Sequence, residues 1–149
     1  MISRFLDLTT YIDSKLHGIP ILVKDNIVTS DNLDASAGSF TFLGAKPAAE
    51  SSLITRLRRA GALILGKTNL SEWSNFRGLN ITAGWSPRGG QTIGAYYAKA
   101  YPEGSSSGSA VATALGLCIA SLGTEVSISL LNWNSVDVFE DRRQHHGSS

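Results

Sequence analysis

The sequence is poor in the features that mark several large protein classes. Only one of its 149 residues is a cysteine, Cys118, so no internal disulfide can form, and we expect a buried, inert thiol there. Thirteen basic residues balance twelve acidic ones, and the net charge of +1 argues against a nucleic-acid or membrane surface that works by bulk electrostatics. These scarcities leave an ordinary globular composition, in which 42% of the residues are hydrophobic.

Long apolar runs and clusters of metal ligands are also missing. The longest weakly polar run covers residues 110–122, which is too short for the ~20 residues that a membrane span needs. The N-terminus lacks the apolar core of a signal peptide, so a cytoplasmic location is the default expectation. His17, His145 and His146 show no ligand spacing with cysteine or aspartate, so we expect no metal site.

The hydrophobic pattern of the first half of the chain predicts an α/β fold. Apolar runs at residues 21–23 and 62–65 predict two short buried strands. Between them, a helix is predicted to begin near Ser51, to bury Ile54 and to end at Gly61. The order strand, helix, strand favours a parallel sheet with helical crossovers.

The remaining segments differ in composition. Residues 1–16 carry a weak helical pattern, whereas residues 76–104 are rich in glycine and read as a long loop, which is uncommon unless it is functional. A helix of small side chains is predicted from about Ser109, followed by a strand at 118–122. Residues 126–149 are polar and do not continue the alternating pattern.

Two features of the chain could carry chemistry. The segment GSSSGS at residues 104–109 precedes a predicted helix, and it is either a generic anion site or a flexible turn with a good N-cap. Lys24 ends the first strand, where a lone lysine commonly reaches solvent. In a poorly hydrated site, however, its pKa falls, and the neutral amine can take the proton of a nucleophilic serine. The GKT at residues 66–68 is not a phosphate loop, because the strand follows the upstream glycine instead of preceding it.

Three motifs, in this order along the chain, resemble the amidase signature family. They are HGIPILVKDN at residues 17–26, RRAGALILGKTNLSE at residues 58–72 and GSSSGSA at residues 104–110. The segments EWSNF at residues 72–76 and GWS at residues 84–86 resemble fungal members most. The resemblance implies a partial amidase-signature domain at residues 17–125, a mixed β-sheet flanked by helices and truncated relative to the family.

The resemblance also implies a Ser-cisSer-Lys triad that hydrolyses a small-molecule amide without a metal or an organic cofactor. Lys24 matches the family's lysine, and Ser105 matches its bridging serine, whose preceding peptide bond is cis in relatives. Ser129, 24 residues after Ser105, falls at the position of the nucleophile. The implied oxyanion and substrate-binding positions are Ser106, Val126, Ser127 and Ile128.

The chain departs from the family's pattern after Glu125. Ile128 replaces the glycine beside the nucleophile, and a β-branched residue disfavours the positive-φ conformations that glycine allows. We therefore expect the chain to be an inactive or impaired amidase. The alternatives are a catalytically dead fragment and a module that binds an anion or a partner.

Beyond Ser129 nothing resembles the family, and residues 126–149 are expected to form an unrelated C-terminal tail. The Val-Ser that follows Glu125 is what the common intron donor GTAAGT would encode if it were translated. Our hypothesis is that this tail is read-through from an unspliced intron or the product of an erroneous gene model.

Overall fold

The computed structural model describes residues 14–78, 80–97 and 100–124. In chain order its strands and helices are β1 (Pro20–Lys24), α1 (Ser52–Arg59), β2 (Leu63–Thr68), β3 (Trp85–Ser86), β4 (Gly90–Gln91), α2 (Ser107–Ala114) and β5 (Ala120–Leu122). Two short 3-10 turns cover Phe40–Phe42 and Glu72–Asn75. No helix within the described ranges is long and apolar enough to cross a membrane. The predicted C-terminal tail at 126–149 lies outside the described residues. Residues 1–13 of the predicted helical segment at 1–16 also lie outside them.

Three strands form a parallel sheet in the order β2–β1–β5, which confirms the α/β class. Val23 of the central strand β1 pairs with Lys67 of β2 on one side and with Leu122 of β5 on the other. Parallel neighbours need crossover connections, and α1 and α2 lie in the two connections here. Since parallel strands end at the same edge of a sheet, Lys24 lies beside Thr68 and beside the residues that follow β5.

A small hydrophobic core joins β1 to α1. Ile54 is fully buried and shares this core with Ile21, Val23 and Ala62. One face of the helix is apolar, and arginines follow in its last turn, where the helix dipole favours positive charge. The predicted helix and its buried Ile54 are therefore confirmed.

Helix α2 packs on the sheet through small polar side chains. Fully buried Ser109 donates from Oγ to the Leu122 carbonyl oxygen at 2.8 Å, and its Oγ lies 2.6 Å from Thr68 Oγ1. Ser121 Oγ donates back to the Ser109 carbonyl oxygen at 2.7 Å. Small side chains let the helix approach the strands closely, and these hydrogen bonds offset the cost of burying the hydroxyls.

Several predicted boundaries need correction. Helix α2 begins at Ser107, not near Ser109, because its first turn extends back into the serine segment. Strand β5 covers Ala120–Leu122 only, although Cys118 is buried as predicted. The predicted loop at 76–104 contains the antiparallel pair β3–β4, whose strands are too short to show an alternating pattern.

The predicted burial of β2 is also wrong. Leu63 and Leu65 of this strand are 53% and 54% exposed. Strand β2 lies at the edge of the sheet, and no other strand among the described residues covers its outer side. The apolar composition of β2 therefore predicted the strand correctly but not its burial.

Candidate active site

The candidate site is centred on Lys24, the last residue of the central strand. Its side chain is fully buried, and a buried ammonium group is costly unless it is hydrogen-bonded. Lys24 Nζ donates to Ser105 Oγ at 2.7 Å, to Thr124 Oγ1 at 2.9 Å and to the Thr124 carbonyl oxygen at 3.2 Å. These three acceptors match the three N–H groups of a protonated lysine.

Burial lowers the pKa of Lys24 from 10.5 to about 8. A site that excludes water disfavours the charged ammonium relative to the neutral amine. At the same pH near neutrality, the neutral amine is therefore much more populated at Lys24 than at a lysine with an ordinary pKa. The structure thus provides an amine that can accept a proton.

Ser105 reaches Lys24 from the loop that leads into α2. The helix start is held against the backbone after β2, because the Gly108 N–H donates to the Asn69 carbonyl oxygen at 3.1 Å. A Cβ at position 108 would clash with that oxygen, so this close approach requires glycine. The glycine of the serine segment is therefore part of the geometry that carries Ser105 to the sheet edge.

Thr124, two residues after β5, ties the end of that strand to the serine segment. Ser106 Oγ donates to the Thr124 carbonyl oxygen at 3.1 Å, and the Thr124 N–H donates to Ser106 Oγ at 3.2 Å. Ser106 is thus an anchor between the start of α2 and the end of β5. Its expected part in oxyanion or substrate binding stays a prediction.

Asn26 extends the hydrogen-bond network away from Lys24. Its Nδ2 donates to Thr124 Oγ1 and to Ser74 Oγ, both at 3.0 Å. Ser74 lies in the turn Glu72–Asn75, where it and its two neighbours Trp73 and Asn75 all have positive φ. Non-glycine residues hold this conformation only where the surrounding structure enforces it, commonly at functional sites.

Sequence reasoning missed Thr124, Asn26 and Ser74 as members of this network. Asn26 lies inside the motif that carried Lys24, and Thr124 immediately precedes Glu125, where the family's pattern ends, so the position of each was a usable signal. Ser74 gave no such signal, because only the positive-φ turn brings its hydroxyl to Asn26.

The expected cis peptide bond before Ser105 is wrong for this structure. The described residues contain no cis peptide bond. A trans peptide bond is favoured by about 3 kcal/mol before a residue other than proline. The turn before Ser105 is instead made at Gly104, which has a positive φ of 84°. The proposed nucleophile Ser129 and the positions Val126, Ser127 and Ile128 lie outside the described residues, so their roles stay predictions.

The anion-binding alternative receives little support from the start of α2. The Gly108 N–H is bound by Asn69, as described above, and the N–H groups of Ser109 and Ala110 donate to the Ser106 carbonyl oxygen at 3.0 and 3.2 Å. An anion would have to displace these internal acceptors. The geometry therefore weighs against an anion site formed by these backbone groups.

Comparison with known proteins points to one family. The sequence model of the Amidase family matches residues 5–131. A fungal relative from Arthroderma benhamiae, whose name assigns it provisionally to the amidases, is 50% identical over 117 residues, which cover 78% of this chain and 20% of the relative. A probable amidase of Arabidopsis thaliana is also 50% identical over 117 residues, covering 78% of this chain and 23% of that protein.

A solved structure agrees with this family. The native peptide amidase from Stenotrophomonas maltophilia superposes with a TM-score of 0.70 at 55% identity, covering 74% of this chain and 22% of that chain. The chain thus spans between a fifth and a quarter of the length of the relatives that it matches.

Proposed function

Since this chain belongs to the amidase family, we propose that it carries the base and the relay serine of an enzyme that hydrolyses the carbon–nitrogen bond of a small-molecule amide. The observation that carries the proposal is the contact of 2.7 Å between Lys24 Nζ and Ser105 Oγ. A buried amine with a lowered pKa, in direct contact with a serine hydroxyl, is the arrangement that proton relay requires.

The contacts of Lys24 suit its neutral form as well as its charged form. A neutral amine has two N–H groups and one lone pair. The two N–H groups can donate to the Thr124 side-chain and carbonyl oxygens, at 2.9 and 3.2 Å. The lone pair then faces Ser105 Oγ, whose hydroxyl donates to it across the same 2.7 Å. Thr124 would therefore orient the base toward Ser105.

The proposed reaction begins when the Ser129 hydroxyl attacks the amide carbonyl. Its proton passes to Ser105 Oγ, while the Ser105 proton passes to Lys24 Nζ. The tetrahedral intermediate then collapses, the carbon–nitrogen bond breaks, and the leaving amine or ammonia takes the proton back through Ser105. Water, deprotonated by the same relay, then attacks the acyl-serine ester. The ester C–O bond breaks, the acid leaves, and the relay returns the proton to the Ser129 hydroxyl.

The oxyanion of the tetrahedral intermediate would be bound by backbone N–H groups of Val126, Ser127 and Ile128, with Ser106 nearby in the substrate site. One such donor is worth roughly 3 kcal/mol in enzymes where it has been removed. Ile128 stands where the family has glycine, which supports the further proposal that the amidase activity of this chain is impaired. Replacement of Ile128 by glycine is expected to raise activity.

A serine-directed probe tests the proposed function. We expect a fluorophosphonate to label the chain at Ser129, and both Ser129→Ala and Lys24→Ala to abolish the labelling. The variant Lys46→Ala removes an exposed lysine and serves as the matched control. Hydrolysis of a panel of primary amides, including C-terminal peptide amides, should follow the same pattern. A folded chain that neither reacts with the probe nor hydrolyses any amide would be the catalytically dead fragment.

A further inference from the structure

Ser71 is a fully buried serine that contacts the backbone on both sides of Ser105. It follows β2 and immediately precedes the turn Glu72–Asn75. Its N–H donates to the Ser105 carbonyl oxygen at 3.2 Å, and its Oγ donates to the Gly104 carbonyl oxygen at 3.1 Å. Its Oγ also accepts the Gly84 N–H at 2.8 Å. This hydroxyl therefore both donates and accepts a hydrogen bond.

These contacts restrain the part of the loop that has most conformational freedom. Gly104 has a φ of 84°, in a region that glycine enters at little cost and from which it can readily leave. The two carbonyl groups bound by Ser71 are those of the successive residues 104 and 105. Because both are held, rotation of the Ser105 backbone is restrained, and its side chain stays directed at Lys24.

The second contact of the Ser71 hydroxyl joins this loop to a distant segment. Gly84 immediately precedes the short strand β3, so its N–H fixes the β3–β4 ribbon to the same oxygen that holds the serine loop. Ser71 itself is anchored by the Ser74 N–H, which donates to its carbonyl oxygen at 2.8 Å. Three loops therefore meet at one side chain.

We propose that Ser71 is a positioning residue for Ser105: it holds the peptide groups on either side of Ser105 so that the Ser105 hydroxyl stays within hydrogen-bonding distance of Lys24 Nζ. This inference rests on the proposed function, because the alignment matters chemically only if Ser105 relays a proton. The Ser71 hydroxyl binds backbone groups of residues 84 and 104, so its influence on Lys24 passes through the serine loop.

The test measures the Lys24 amine directly in the full 149-residue chain. Lysines labelled with ¹³C at Cε are titrated by NMR, and the Lys24 signal is assigned by its loss in Lys24→Met. Ser71→Ala keeps the main-chain bond to Ser105 but loses the hydroxyl bond to the Gly104 carbonyl oxygen, so we expect it to loosen the loop and separate Ser105 Oγ from Lys24 Nζ. Loss of this acceptor of the ammonium group should move the titration midpoint of Lys24 below about 8. If the chain turns over an amide, kcat should also fall, by up to about 100-fold, while KM stays nearly unchanged.

The matched control is Ser121→Ala. Ser121 is another buried serine whose hydroxyl binds backbone, but it donates to the Ser109 carbonyl oxygen and so holds α2 to β5 instead of the serine loop. It should lower stability, as Ser71→Ala does, and leave the Lys24 midpoint unchanged. If Ser71→Ala does not fold, Ser71→Cys fills the same space with weaker hydrogen bonds and should move the midpoint in the same direction.

An unchanged Lys24 midpoint in folded Ser71→Ala or Ser71→Cys overturns the positioning role, and so does an equal shift in Ser121→Ala. The proposed function fails separately, if the wild-type chain shows no turnover or probe labelling that depends on Lys24. A Ser71-dependent midpoint in such a chain would still support the positioning of Ser105.

Discussion

Replacement of Lys24 by methionine tests the electrostatics of the site without reference to any substrate. Methionine keeps an unbranched chain of similar length but removes the amine. In the wild-type chain the pKa of Lys24 falls on folding from 10.5 to about 8. The folded state therefore releases a proton that the unfolded chain keeps throughout the interval between these values.

The sign of the pH dependence follows from this difference. Between about pH 8 and 10.5 the unfolded state binds more protons, so the Lys24 amine makes the free energy of unfolding rise with pH. Below about pH 8 the lysine is charged in both states, and its burial lowers stability by a constant amount. At about 1.4 kcal/mol per pKa unit, the rise is at most about 3–4 kcal/mol, and water entering the site would reduce it.

Urea denaturation from about pH 7 to 10.5 measures this rise as the difference between the wild-type and Lys24→Met curves. The difference is needed because burial also lowers the pKa of Lys67, which adds a pH dependence of the same sign to both proteins. Lys46→Met, at an exposed position, should leave the wild-type curve unchanged. A wild-type-minus-Lys24→Met difference that stays flat across the interval would refute the reasoning, because Lys24 would then titrate alike in both states.

Three further predictions address the core and the frame of the site. Ile54→Ala should lower the free energy of unfolding by about 2–5 kcal/mol in urea denaturation, because Ile54 is fully buried in the small core; a loss below ~1 kcal/mol would contradict that burial. Gly108→Ala should lower the midpoint of thermal unfolding, with a cost of about 1–3 kcal/mol, since its Cβ would overlap the Asn69 backbone; an unchanged midpoint would show that the helix start can move freely. Thr124→Val removes an acceptor of the Lys24 ammonium group, so it should lower the pKa of Lys24 further in an NMR titration. A rise in this pKa would contradict the prediction and would mean that water replaces the lost hydroxyl.

Much of the fold follows from local sequence patterns. The apolar run at 21–23 and the amphipathic stretch with Ile54 determine a strand and a helix by short-range periodicity. The strand–helix–strand order is sufficient to predict the parallel sheet, because a parallel pair needs a crossover connection. The resemblance of motifs at two places in the chain to the amidase family also singles out Lys24 and Ser105.

The geometry of the candidate site depends on contacts that no local pattern encodes. Lys24 and Ser105 are 81 residues apart and Lys24 and Thr124 are 100 apart, so only the pairing of β1 with β5 and the packing of α2 bring them together. The same holds for Ser71, which looks like any small polar residue until tertiary packing buries it. The sequence by itself thus determined the main strands and helices and the chemical groups that they carry, because these depend on residue type and local pattern, whereas the pair β3–β4 appeared only in the structure. Tertiary structure alone decided which hydroxyl meets which amine, and it lowered the pKa of Lys24, because burial and long-range hydrogen bonds exist only once the chain has folded.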